Sequence, residues 1–192
     1  MASNTFFAFI HRMKYINRWG LMRNTRYENL KEHSFDVASI ALGIAKIGNH
    51  YYKKQYNCEK IAVMAMYHDA NETITGDMPT PVKYENEAIT KAYKKLEKEA
   101  EKQIINMLPP DLSKSYEQYF HMDEESKAIV KAADRISALI KCIEEQDGGN
   151  HDFISARNAV EESLSSVELP EVKRFISDFL PAFSMTLDEM KK

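Results

Sequence analysis

The chain has 192 residues, only six glycines and six prolines, and a formal charge of -3. That length suits one domain with a substantial core, and the mild negative charge argues against a general binder of nucleic acid polymers, which needs a basic excess. Cys58 and Cys142 form neither a CxxC pair nor a disulfide framework, which points to a reducing cytoplasm, and the apolar run at 6–10 is too short to cross a membrane and is followed, not preceded, by basic residues, unlike a signal peptide.

Phe6, Phe9 or Ile10, Met13 and Ile16 recur at helical spacing, which predicts an amphipathic helix over 5–17 with Gly20 as its C-terminal stop. The stretch NRWGLMRNTRYENLK then sets Arg18, Arg23 and Arg26 against Glu28. A lone arginine is ordinarily a solvated charge, and a tryptophan is as readily part of a core. Arg18 beside Trp19, the single Trp, is nevertheless a pair suited to gripping a nucleotide. A guanidinium forks onto phosphate oxygens and an indole can wall a sugar and base.

Asn29 and Glu32 have capping-box spacing and open a helix with Val37, Ile40, Ala41, Ile44 and Ile47 on one face. His33 falls on that face and points inward; alone, such a histidine is more often a core residue than a ligand. His11, His50, His121 and His151 have no comparable company and read as surface or packing residues.

The stretch MYHDANETITGDMPTP concentrates imidazole, carboxylate and turn chemistry. The apolar run IAVMAM before it lacks Gly and Pro, so a buried helix should deliver His68, Asp69 and Glu72, with His68 and Glu72 four apart on one face. Thr73, Thr75, Gly76, Pro79 and Pro81 should end that helix, leaving a loop from Asp77 over the carboxylates.

Ile89, Tyr93, Leu96, Ala100, Ile104 and Met107 predict a long amphipathic helix over 85–108, ended by Pro109 and Pro110, with an irregular excursion to Asp123. The next helix, over 124–146, carries Ile129, Ala133, Ile136, Ile140 and Ile143 at core spacing, and Asp134 interrupts it. Burying an unpaired carboxylate is costly, so Asp134 caps, faces solvent or binds a cation; the small neighbours Ala132, Ala133, Ser137 and Ala138 favour the cation, and a local pair with Arg135 is the competing reading. A turn at 147–150 leads to a helix over 152–165 and a last one after Pro170 that Pro181 should kink or end. Those C-terminal helices carry no convergent polar set, which leaves packing or self-association.

His33, His68, Asp69 and Asp134 together make a mixed nitrogen and oxygen donor set suited to a first-row divalent metal. Such an ion lowers the pKa of its water towards neutrality, and phosphate ester hydrolysis needs that nucleophile, a cation against the phosphoryl oxygens and a proton carrier. Glu72 is placed for proton transfer, Asp77 for orienting water or phosphate, and Arg18 for a non-bridging oxygen.

The set His33, His68-Asp69 and Asp134 resembles the metal signature of the HD-domain phosphohydrolases. More narrowly, INRWGLMRNTRYENLKEHS, AMYHDANETITGDMPTPVKY, the helix bearing Asp134 and the late SMTLDEM segment are similar to the bacterial HD-domain 5'-deoxynucleotidases, over nearly the whole chain. The resemblance implies an all-α fold, a single-domain helical bundle of the HD-domain type over 1–192, with a core roughly over 5–147 and helices over 151–190 packing on it or on a partner subunit. It implies a divalent metal on His33, His68, Asp69 and Asp134, with cobalt or manganese preferred in assays. It implies deoxyribonucleoside 5'-monophosphates as substrates, contacted by Arg18, Trp19, His33, Asp69, Asp77, Met78, Pro79, Thr80 and Asp134, and catalysis that requires Arg18, Glu72 and Asp77. Trp19 matches the bulk that excludes a 2'-hydroxyl in that family, whose members are homodimers. Met78 stands where Leu is more usual, and Arg135 follows the last ligand where a small or neutral residue is expected. The alternatives are another HD-domain phosphohydrolase, acting on a triphosphate or an alarmone, and a non-catalytic helical protein that a metal merely stabilises.

Overall fold

The computed structural model describes residues 4–191, so the expected span of 1–192 begins and ends outside it. Among the described residues the chain is helical throughout, and an isolated bridge between Asn17 and Asn29 is its one trace of strand pairing. In order come α1 (Phe6–Ile10), α2 (Leu30–Tyr52), α3 (Cys58–Tyr67), α4 (Glu72–Thr75), α5 (Thr80–Lys83), α6 (Glu87–Ile105), α7 (Pro110–Phe120), α8 (Glu124–Asp147), α9 (Ile154–Ser165), α10 (Pro170–Phe179) and α11 (Leu187–Met190).

The two long helices α2 and α8 form the centre. Val37, Ala41 and Ile44 of α2 and Ile129, Ala133 and Ile136 of α8 are wholly buried, as the apolar stripes require. Ile61 and Ala65 of α3 and Val172 and Phe175 of α10 complete this core from either side of α2. A smaller cluster joins Phe6 of α1 to Ile104 of α6 and Leu108. The start of α2 is a full capping box: the Asn29 side chain accepts from the Glu32 N–H at 3.1 Å while the Glu32 carboxylate accepts from the Asn29 N–H at 3.2 Å.

Three expectations need correction, and one competing reading falls away. The first helix is only Phe6–Ile10, continues as a 3-10 turn to Tyr15 and ends where Ile16 turns extended, so Gly20 is not its stop. The helix delivering His68 does not run through Glu72: α3 ends at Tyr67 and tight bonds from Ala70 N–H to Tyr67 O (3.0 Å) and from Glu72 N–H to Asp69 O (3.0 Å) separate it from α4. Bonds that skip only three residues turn the chain faster than an α-helix, which swings Asp69 towards the His68 side. Residues 110–120 are helical, because Pro110 at a first turn supplies a preset φ rather than a break. Arg135 does not pair with Asp134; its Nη1 donates to the Ser163 carbonyl of α9 at 3.3 Å.

Candidate metal centre and substrate site

Three elements bring the donors together. His33 sits in the second turn of α2, His68 and Asp69 follow the end of α3, and Asp134 lies midway along α8. His33 Nε2 is 3.1 Å from Asp134 Oδ1 and 3.6 Å from Asp69 Oδ2, and His68 Nε2 is 3.0 Å from the same Asp69 oxygen. Ligand atoms of His33, His68 and Asp134 lie within 4.8 Å of one another.

Both imidazoles are committed at their other nitrogen. His68 Nδ1 is 2.7 Å from the Ala65 carbonyl, so it carries the proton there. His33 Nδ1 stands 3.1 Å from Ser137 Oγ and 3.6 Å from Glu28 Oε1. The two Nε2 atoms are buried without a hydrogen-bond donor or acceptor of their own. Lone pairs held inward from a dry wall, facing carboxylates, are what a divalent cation with mixed nitrogen and oxygen ligands requires, so this set could hold one.

Without an ion, the same carboxylates favour a proton in its place. Burial alone would depress the His68 imidazolium, but Asp69 and Asp134 outweigh it and lift its pKa to about 9. Burial would raise Asp69, yet His68, His33 and Arg18 hold it well below the usual carboxylate range. Asp134 is likewise lowered against its burial, by His33 and His68. Glu72 goes the other way: burial, then the charges of Asp69 and Asp77, push it up to about 9, and its Oε2 is buried with no partner. Asp77 is raised by burial, with Arg18 acting against it.

The loop from Asn17 to Asn29 lays a second set of groups beside the donors. Arg18 Nη1 reaches Asp69 Oδ2 at 3.4 Å and Arg18 Nε reaches Glu28 Oε2 at 3.3 Å. Trp19 is half-buried, its indole against Phe153 at 5.3 Å between ring centres, with Nε1 donating to Glu28 Oε2 at 3.1 Å. Its backbone has φ +58°, a left-handed conformation costing a bulky residue about 1–3 kcal/mol, kept only where the surroundings impose it. Here Asn24 Nδ2 donates to the Trp19 carbonyl at 3.2 Å, and the loop tip is tied to α8. Glu145, wholly buried, accepts from Thr25 N–H (2.9 Å), Thr25 Oγ1 (2.7 Å), Asn150 Nδ2 (2.7 Å) and the Lys141 ammonium.

Of the residues named from sequence, Arg18, His33, His68, Asp69 and Asp134 therefore meet directly; Asp77 is linked to Arg18 and Asp69 through charge, and Glu72 feels the charges of Asp69 and Asp77. Met78 and Pro79 are half-buried and Thr80 is exposed at the start of α5; among the described residues no side-chain hydrogen bond ties these three to the donors. Sequence reasoning missed Glu28, Ser137 and the Lys141 and Glu145 pair. Glu28 looked like one acid among arginines, and an i, i+4 Lys–Glu pair ordinarily marks a solvated helix face.

Comparison with known proteins agrees with this geometry. The family model described as 5'-deoxynucleotidase, YfbR-like matches residues 5–183. A 5'-deoxynucleotidase of Yersinia pestis (strain Pestoides F) is 47% identical over 190 residues, covering 96% of this chain and 95% of the relative, and one of Yersinia pseudotuberculosis serotype O:1b is equally similar. Among solved structures, an HD-domain phosphohydrolase of Listeria innocua superposes with TM-score 0.80 at 22% identity, covering 98% of this chain and 92% of its own. A cyanophage S-2L HD phosphohydrolase bound to dA and one catalytic Zn2+ ion superposes with TM-score 0.67 at 20% identity, covering 93% and 96%. Donor set, fold and sequence thus converge, and the chain belongs to the YfbR-like 5'-deoxynucleotidase family.

Proposed function

We propose that the protein is a metal-dependent 5'-deoxynucleotidase that hydrolyses deoxyribonucleoside 5'-monophosphates to deoxyribonucleosides and phosphate. The observation that carries this reading is the donor cluster from α2, α3 and α8 with Arg18 at its edge, 3.4 Å from Asp69. His33, His68, Asp69 and Asp134 would hold one divalent ion, cobalt or manganese being the ions to restore first. When bound, such an ion offsets charge on the phosphoryl oxygens and acidifies water.

The chain supplies the rest. Arg18, steered by Asp69 and Glu28, presents its guanidinium to a non-bridging phosphate oxygen. Asp77 orients phosphate or the attacking water. The water oxygen bonds to phosphorus as the bond to O5' breaks, and Glu72, which burial favours as the neutral acid, gives its proton to the departing O5' and recovers one from the water that has attacked. Trp19 walls the sugar so that a 2'-hydroxyl has no room, and Met78, Pro79 and Thr80 line the same side.

Phosphate release from paired deoxy and ribo monophosphates in metal-stripped protein, each divalent ion restored in turn, tests this. Release from the deoxy substrates alone is expected, and equal rates on the two sugars would refute the selectivity. Glu72→Ala should keep its metal by elemental analysis and lose turnover by about 10²–10⁴. We read 1–192 as one domain and the enzyme as a cytoplasmic homodimer, a state that Phe179 (49% exposed), Leu187 (66%) and Met190 (56%) near the C-terminus would suit. Light scattering decides it. No helix among the described residues is long and apolar enough to cross a membrane.

A further inference from the structure

We infer that Glu28 is a positioning residue that aims the phosphate-gripping Arg18, the sugar-walling Trp19 and the metal-centre His33 with a single carboxylate. The inference rests on Trp19 being the sugar wall. Glu28 Oε2 accepts from Arg18 Nε at 3.3 Å and from Trp19 Nε1 at 3.1 Å, while Oε1 lies 3.6 Å from His33 Nδ1. The Glu28 side chain is 12% exposed, and its backbone carbonyl also accepts the Arg18 N–H at 2.9 Å.

These contacts leave Glu28 little freedom and give it consequences that none of the three neighbours has alone. Arg18 has two carboxylate contacts, to Asp69 and Glu28, and only Glu28 holds Nε, which sets the plane of the guanidinium. Trp19, in its left-handed backbone, can swing only about its side-chain bonds, and the hydrogen bond to Glu28 fixes that swing while Phe153 supports one face. Beside the nearer Ser137 Oγ at 3.1 Å, the Glu28 carboxylate at 3.6 Å adds to the preference for a proton on His33 Nδ1 and so for the tautomer whose Nε2 lone pair faces the other donors. A change at Glu28 should therefore reach substrate binding, sugar choice and ion affinity together, although Glu28 itself need touch neither substrate nor ion.

Trp19 is the only tryptophan, so intrinsic fluorescence reports its indole without any need for turnover. Glu28→Ala and Glu28→Gln are to be compared with Trp19→Ala by emission and acrylamide quenching, by kcat and KM on paired deoxy and ribo substrates, and by chelator competition for the metal. In Glu28→Ala we expect red-shifted, more quenchable emission, a deoxy-to-ribo kcat/KM ratio reduced about tenfold, and ion affinity reduced about tenfold. Glu28→Gln keeps an oxygen for the indole N–H, so its emission and sugar ratio should stay near wild type while KM rises as the charged contact to Arg18 is lost.

A residue that merely supported the fold would lower stability in both variants without moving the sugar ratio. Wild-type emission together with an unchanged ratio in Glu28→Ala would overturn the inference. Should that variant fold poorly, Glu28→Asp, whose carboxylate is withdrawn by one methylene, must show the same red shift and relaxed ratio, and wild-type values there overturn the inference equally. Retained discrimination in Trp19→Ala would instead overturn the sugar-wall reading, and absent phosphate release in loaded wild type would overturn the activity itself.

Discussion

Glu72 combines deep burial with an Oε2 that has no hydrogen-bond partner, and both favour the neutral acid. Its pKa of about 9 in the folded chain compares with 4.5 for an ordinary glutamate. Between those values the folded state binds the extra proton, so stability falls as pH rises through that window, by up to about 1.4 kcal/mol per pH unit. Below 4.5 both states are protonated and the penalty vanishes. Glu72→Gln cannot titrate, so urea midpoints of the metal-stripped variant should gain steadily on wild type from about pH 5 to about pH 9. Parallel curves would show that Glu72 is ionised in the native state. At this scale the sequence was legible where residue type carries chemistry, as at His33, His68 and Asp134. It was opaque at Glu28, whose partners are reached only because the chain folds back between Asn17 and Asn29. No periodicity signals that return.

At the scale of elements, periodicity located α2, α6, α8 and α10, whose stripes face a core. It failed at α7, where no residue is buried and the apolar signal is correspondingly thin, and at the turn after Tyr67, where hydrogen bonding overrides helix propensity. Gly48 shows such an override inside a helix. Alanine there would gain about 1 kcal/mol of propensity, but its Cβ would come 2.6 Å from Tyr56 Cε2. Tyr56 cannot yield freely, since its hydroxyl donates to the wholly buried Glu171 at 2.6 Å. Overpacking costs about 1–3 kcal/mol, so Gly48→Ala should destabilise by about 1–2 kcal/mol in urea denaturation. The join between the loop from Asn17 to Asn29 and α8 rests on a buried pair. Glu145→Ala strands the buried Lys141 ammonium and the donors of Thr25 and Asn150, and should cost about 3–5 kcal/mol by the same measurement.

Across the whole molecule, the donor cluster is where α2, the α3 to α4 turn and α8 meet, so a cation there ties together elements far apart in sequence. A ligand that binds only the folded state at a hundred times its Kd adds about 2.7 kcal/mol, which for a chain of this size raises Tm by about 5–10 °C. Restoring manganese or cobalt to stripped protein should give that rise in a thermal scan. The effect should grow with pH, because a cation must displace the proton that His68 holds below about pH 9. A rise that shrinks with pH would place the ion elsewhere.

The helix α8 carries Asp134 in one stretch and the Lys141 and Glu145 pair further along, so a single rod presents a cation donor and anchors the loop bearing Trp19. Asp134 and Lys141 are seven positions apart, a rise of about 10.5 Å along an unbroken helix. That interval fixes how far the loop's anchor stands from the candidate cation donor. One extra residue spliced between the two positions would rotate everything beyond it by about 100°. Lys141 and Glu145 would then point away from Thr25 and Arg26 even though every donor survived.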